Sequence, residues 1–301
     1  MQRICLSSVI AALLLSTGCS SISSEHVSEF SQASAALSAE AADVLHQASE
    51  QNRQRKIYQL AHEPAQGLTV ERLQQVEGFF AGDSQPALLA LQALEEYSLA
   101  LALLAGADEQ DEIDKAAAAL HESVTDMSER YQQLKQSPLN LSASEFRLLA
   151  LVADGVGHAV FETRKREAIR EIITKSDPAV RLLADAIENS LTAAEILQNN
   201  DLRHALQEQI ADYRQRLHDN AITTRTRALN KMWQQADQLK QLPEQYRAAR
   251  EATVLLRDSH QLLVAEVTAD RYSGEALLAG ISELNRYRKK LNSFNKKLKE
   301  L

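Results

Sequence analysis

Residues 25–62 read EHVSEFSQASAALSAEAADVLHQASEQNRQRKIYQLAH, a stretch without a glycine or a proline. Alanine, glutamate, glutamine and leucine dominate it, and these side chains lose little freedom on entering a helix. Val27, Phe30, Ala33/Ser34, Leu37, Ala41, Val44/Leu45 and Ala48 recur every three or four positions, which places them on one apolar stripe. At 1.5 Å per residue the helix reaches about 55 Å. Much of the stripe is alanine, so neighbouring helices can approach closely.

The whole chain extends the same logic. Of 301 residues 45% are hydrophobic and 25% charged, enough apolar side chain for one large or two modest cores and too much for a disordered chain. Gly 9 and Pro 5 are too few for a turn-rich all-β fold. Pro64 and Gly67 end the first helix, a short helical piece follows around residues 70–80, and Gly78, Gly82 and Asp83 break the pattern again. Ser84 before Pro86 suits a helix start, where a missing N–H costs nothing. The run from Ala87 to Ala105 is the most apolar of the mature chain, and with Glu95 and Glu96 inside it the reading is a central buried helix.

Further helices are expected from Asp108 to about Gln136, from the capping-box spacing Ser142-Ala143-Ser144-Glu145 to about Lys175, and over 179–220. Asp177-Pro178 reads as an N-cap with proline at the first helical position, and Asn199-Asn200-Asp201 as an interruption. Leu202, Leu206, Ile210, Tyr213 and Leu217 approximate a coiled-coil repeat. Residues 222–242 form another helix, and Pro243 either begins a new one or kinks a longer one. Arg271-Tyr272-Ser273-Gly274 is the last turn, and the final helix carries Leu277/Leu278, Ile281, Leu284, Tyr287, Leu291, Phe294, Leu298 and Leu301. The fold class is therefore all-α, an elongated bundle of long antiparallel helices joined by short loops.

The N-terminus has its own chemistry. Met1-Gln2-Arg3 leads into an apolar run from Ile4 to Leu15, too short for a membrane span, and then Ser16-Thr17-Gly18-Cys19-Ser20. Leu15 to Cys19 resembles the lipobox of bacterial lipoproteins. The resemblance implies a signal peptide over 1–18 that is removed after Gly18, acyl chains on Cys19, and a short linker over 19–24 ahead of a bundle over 25–301. Ser20, in the place where an aspartate would favour inner-membrane retention, implies the periplasmic face of the outer membrane. Two or more acyl chains anchor stably. Cys5 would leave with the signal and Cys19 would be acylated, so no thiol remains for a disulfide or for redox work.

Cleavage would also take Arg3 out of 33 basic residues, leaving 41 acidic side chains against 32 basic ones and a formal charge of −9. That balance argues against nucleic acid as a partner. No Glu-x-x-His occurs; the nearest approximations are Asp43 with His46 and Asp201 with His204, and His158/Glu162 and His204/Glu208 stand one turn apart. Neither a nucleophile elbow nor a phosphate-binding glycine loop is present, since Gly155-Val156-Gly157 follows no strand. The protein is read as non-catalytic, without metal or cofactor.

Charge is uneven, however. Arg164-Lys165-Arg166 with Arg170 forms one basic cluster, and Arg286, Arg288, Lys289, Lys290, Lys296, Lys297 and Lys299 form a basic C-terminal helix that could meet an anionic surface. Met232 and Trp233, beside Leu229 and Leu239, are expected in the core, with an exposed partner-binding edge as the other reading. The functional expectation is a lipid-anchored scaffold or adaptor for another envelope protein. The alternatives are a cell-wall or anionic-surface binder acting through the basic tail, with peptidoglycan among its targets, or an immunity-type lipoprotein that neutralises a periplasmic toxin.

Overall fold

The computed structural model describes residues 23–62, 68–74, 76, 85–107, a set of positions between 112 and 126, and residues 158–215, 221–269 and 274–299. Cys19, Ser20, the 142–145 capping box and the Gly155–Gly157 step lie outside the described residues, as do the side chains of His158, Glu162, Arg164 and Lys299. The described chain is helical, with no strand among the described residues: α1 (Ser24–His62), α2 (Val70–Gln74), α3 (Gln85–Gly106), α4 (His158–Gln215), α5 (Ile222–Thr268) and α6 (Glu275–Lys299).

Side-chain pairs set the directions. Asp185 with Arg257, Glu195 with Arg250 and Gln198 with Tyr246 run α4 against α5, and Glu251 with Tyr287 and Glu244 with Lys290 run α5 against α6. His26 meets Glu266 near the start of α1, while Glu40 further along accepts from Asn292 and Asn295, so α6 runs parallel to α1. Tyr97 of α3 stands opposite Ser176, and Lys165 donates to the Ala107 carbonyl just past the end of α3, so α3 runs against α4. The result is an all-α bundle of long, largely antiparallel helices.

The core sits where α1, α3, α4, α5 and α6 meet, and Ala116 and Leu120, from the helical positions between 112 and 126, are buried in it as well. Val27, Phe30, Leu37 and Leu45 of α1, Leu94, Tyr97, Leu101 and Leu104 of α3, Ile169 to Leu191 of α4, Tyr246 to Leu263 of α5 and Leu277 to Leu291 of α6 supply its buried large side chains. Alanines at 33, 41, 48, 90, 93, 100, 248, 249 and 252 fill the crossings, which lets the backbones approach. The Ala87–Gly106 helix has the length and apolar composition to cross a membrane, yet its inner side is buried in this core while Leu99 and Leu103 face outward.

Two expectations are corrected. Asp177-Pro178 does not start a helix and Asn199-Asn200-Asp201 does not interrupt one, because α4 is continuous over 58 residues. Pro178 faces solvent, so the carbonyl of Thr174 that loses its N–H partner lies on the exposed side and water can satisfy it. Ile173, Ala179 and Val180, buried on either side, hold the helix to its neighbours. The Asp177 carboxylate is turned inward as well, where it takes His260 and Arg181. Pro243 is likewise inside α5 and exposed, which selects the single long helix of the two alternatives.

The second correction concerns Trp233. It is 67% exposed, while its neighbour Met232 is 8% exposed. Met232 lies on the side of α5 that faces Tyr58 of α1 and Gln209 and Tyr213 of α4, and the next residue, about 100° further round, faces water.

Candidate functional site

On three helices the inward stripe changes character at one level. Along α1 it reads Ala41, Val44/Leu45, Ala48, then Gln51/Asn52, Arg55 and Tyr58; along α4 it reads Ile187, Leu191, Ala194, then Gln198 and Asp201; along α5, read backwards, it reads Leu242, then Gln238, Gln235 and Lys231. Aliphatic side chains give way to amides in all three. Between them opens a cleft of about 1170 Å³, lined from α1, α4 and α5 alone. Eight of its 24 lining residues are glutamine, joined by Asn52, Asn230, Thr223 and Thr226.

Its floor is a connected set of hydrogen bonds. The buried Tyr246 hydroxyl donates to Gln198 Oε1 at 2.7 Å, and Gln198 Nε2 donates to Gln51 Oε1. Burial, and the nearby Glu195 carboxylate, push the Tyr246 hydroxyl far above its ordinary value, so it stays a donor. Asn52 Nδ2 donates to Asp201 Oδ2 at 2.6 Å, and Arg55 Nη1 lies 3.0 Å from Asp201 Oδ1. The floor is thus pinned across α1, α4 and α5.

The walls are not. Both amide atoms of Gln47, Oδ1 of Asn52, Nε of Arg55 and Oε1 of Gln235 are buried without a hydrogen-bond partner. All four residues line the cleft. Leaving such groups dry costs about 1–3 kcal/mol each, so the arrangement calls for water or a hydrogen-bonding ligand between the walls. Arg55, Arg227 and Lys231 face the acids Glu50 and Asp201 around the rim, an excess of one positive charge.

A second polar constellation lies deep in the five-helix core. Tyr97 Oη is 2.7 Å from Ser176 Oγ and 3.3 Å from His260 Nε2; His260 Nδ1 is 3.1 Å from Asp177 Oδ1, and Arg181 approaches the other carboxylate oxygen at 2.5 Å. Burial raises the Asp177 carboxyl, but hydrogen bonds from His260 and Arg181 outweigh it and hold the group below its ordinary value. The order of groups resembles an acid–base relay, yet Tyr97, Ser176 and His260 are sealed from solvent. What the relay does here is lock α3, α4 and α5 together.

No family model, curated protein or solved structure matches this chain.

The residues singled out in the sequence fall in different places. His46, His204 and Glu208 are exposed, and no cluster of three or more potential metal ligands occurs among the described residues. Lys165 is a buried donor to the end of α3 and not part of a surface patch, a favourable place for a cation. In α6, Arg286 pairs with Glu283 and lies over the Tyr287 ring, and Lys290 pairs with Glu244. Arg288 is on the packed side with its Nε buried, which removes it from an outward-facing set. Lys289, Lys296 and Lys297 are exposed and share an arc of about 120° with Arg286 and Lys290. No reading of single motifs could find the cleft; its signal is the simultaneous change from aliphatic to amide on three separate stripes.

Proposed function

We propose that the protein is a lipid-anchored, non-catalytic adaptor at the periplasmic face of the outer membrane, which binds another envelope protein through the outer side of α5. The anchor rests on the resemblance around Cys19 and the sorting on Ser20. The observation that carries the adaptor reading is the spacing of Leu229 and Trp233, which stand one turn apart on one side of α5, outside the cleft, and are 48% and 67% exposed. Large aromatic and aliphatic groups in one exposed stripe are costly in water and are the kind of anchor that dominates protein interfaces. A helix presenting a complementary apolar stripe is the matching partner, and an immunity-type complex with a toxin is one form of it.

In cells, a photo-crosslinking residue in place of Trp233 should give one dominant adduct from the membrane fraction, and Trp233→Ala should weaken recovery of the same partner by about tenfold or more. Cys19→Ala should release the protein from membranes or leave a precursor. Absence of any adduct at 233, with adducts elsewhere on the surface, would move the interface.

The exposed cations of α6 favour a second reading, contact with phospholipid headgroups or peptidoglycan carboxylates. Ion pairs already engage Arg286 and Lys290, so this contact falls to Lys289, Lys296 and Lys297. Sedimentation with anionic vesicles or peptidoglycan that is lost in the triple glutamine variant and at raised ionic strength would support it; unchanged sedimentation would reject it.

A further inference from the structure

We infer that the amide-lined cleft between α1, α4 and α5 is a binding site for an amide-bearing oligosaccharide, the chemistry of an N-acetylated cell-wall glycan strand. The inference stands on different residues from the adaptor surface and the basic helix, and does not depend on either.

Three observations carry it. First, the cleft is built: its floor is pinned by Tyr246, Gln198, Gln51, Asn52 and Asp201, so its shape does not have to form on binding. Second, it presents unused hydrogen-bonding capacity at buried atoms, with Asn52 only 7% exposed and its Oδ1 unpartnered, and with Gln47 and Gln235 carrying free amide atoms on the facing walls. Third, the unused groups include both donors (Gln47 Nε2, Arg55 Nε) and acceptors (Gln47 Oε1, Asn52 Oδ1, Gln235 Oε1).

That mixture selects the ligand class. A phosphate or a carboxylate needs donors only, and the acceptor oxygens of Asn52 and Gln235 would repel it. An apolar ligand would leave every one of these atoms unsatisfied. An extended peptide is normally gripped by a sheet edge or by apolar and aromatic pockets, and this cleft offers one tyrosine, Tyr58, and no strand. A sugar hydroxyl is both donor and acceptor, and an acetamido group matches the amides of the walls atom for atom. At about 1170 Å³ the cleft exceeds the span usual for a single small ligand, which fits an oligomer, and the single excess positive charge tolerates a carboxylate substituent.

The test is calorimetric titration of the detergent-solubilised full-length protein with the β-1,4-linked tetramer of N-acetylglucosamine, with the glucose tetramer of the same linkage and tetra-alanine as comparators. The acetylated tetramer should bind saturably, and about tenfold or more tighter than the unacetylated one. Gln47→Leu and Gln235→Leu should each weaken it by about tenfold or more, while their melting temperatures stay level or rise, because the atoms removed have no partner to lose. Replacing Lys289, Lys296 and Lys297 with glutamine should leave the affinity unchanged. No binding at millimolar tetramer, preference for tetra-alanine, binding that survives both leucine variants, or binding lost with the α6 lysines would each overturn the assignment.

Discussion

Between Val27 and Leu45 the inner side of α1 is packed into the apolar core against α3, α5 and α6; from Gln47 to Tyr58 the same helix faces a cleft shared with α4 and α5 and is lined mostly by amides and charges. The cleft at that second level is lined from α1, α4 and α5 alone, with no residue of α3 or α6 among its walls. In the first region each side chain finds close-packed neighbours on several helices. In the second, polar side chains line an open cleft and hydrogen-bond from helix to helix at its floor. The chemistry of each stripe goes with its cover: apolar where neighbouring helices bury it, amide and charged where it lines the cleft.

That contrast is open to direct attack. Leu101→Ala, in the five-helix region, should cost about 3 kcal/mol, since it opens a cavity in a fully buried site. Leu202→Ala, half-buried at the cleft, should cost under about 1 kcal/mol by the same reasoning. Equal losses in chemical denaturation would erase the distinction between the regions.

Next in size is Asp177→Asn, expected to cost about 2 kcal/mol at neutral pH through loss of charge-assisted hydrogen bonds to His260 and Arg181. The sign with pH follows from the lowered carboxyl. A group held below its ordinary 3.8 in the folded protein contributes its stability fully above that value and loses it as pH falls through the lower, folded one. The gap between wild type and Asp177→Asn should therefore narrow on acidification below about pH 4, as read from melting curves at stepped pH; a constant gap would deny the link.

Smaller again is Gly274→Ala. Gly274 turns the chain from α5 into α6 with φ +70°, and an added Cβ would lie 2.7 Å from His26 Cε1, so a loss of about 1–2 kcal/mol is expected from the backbone and the contact together. The effect should be relieved in part by His26→Ala, which removes the obstructing ring at the expense of its Glu266 contact.

Much of this architecture was legible. The unbroken 25–62 stretch forms α1 over Ser24–His62, the Ala87–Ala105 run lies within α3, and Gly274 marks the turn before the last helix. These features depend on local propensity and on a 3.6-residue period, both written along the chain. Pro178 misled for a physical reason. A proline signals a helix start only if nothing else holds the chain helical, and at Pro178 the packing of Ile173, Ala179 and Val180 carries the helix through while the freed carbonyl looks outward.

Trp233 shows the same limit from the other side. Its size argues for burial, but burial requires a neighbour, and the helices that reach its level cover the Met232 side of α5 instead. Asp177 and His260, 83 positions apart, and Asn52 and Asp201, 149 apart, carry no mark of each other along the chain.

Helix content, the apolar stripes and the bundle class belong to the sequence by itself, because each is decided by residues within a turn or two of one another. Where each stripe is covered, which polar groups meet, and that a dry core gives way to an amide-lined cleft were decided only by the tertiary structure. The physical reason is that burial and hydrogen-bond satisfaction depend on how many helices pass a point in space, a quantity set by the lengths and registers of all of them at once.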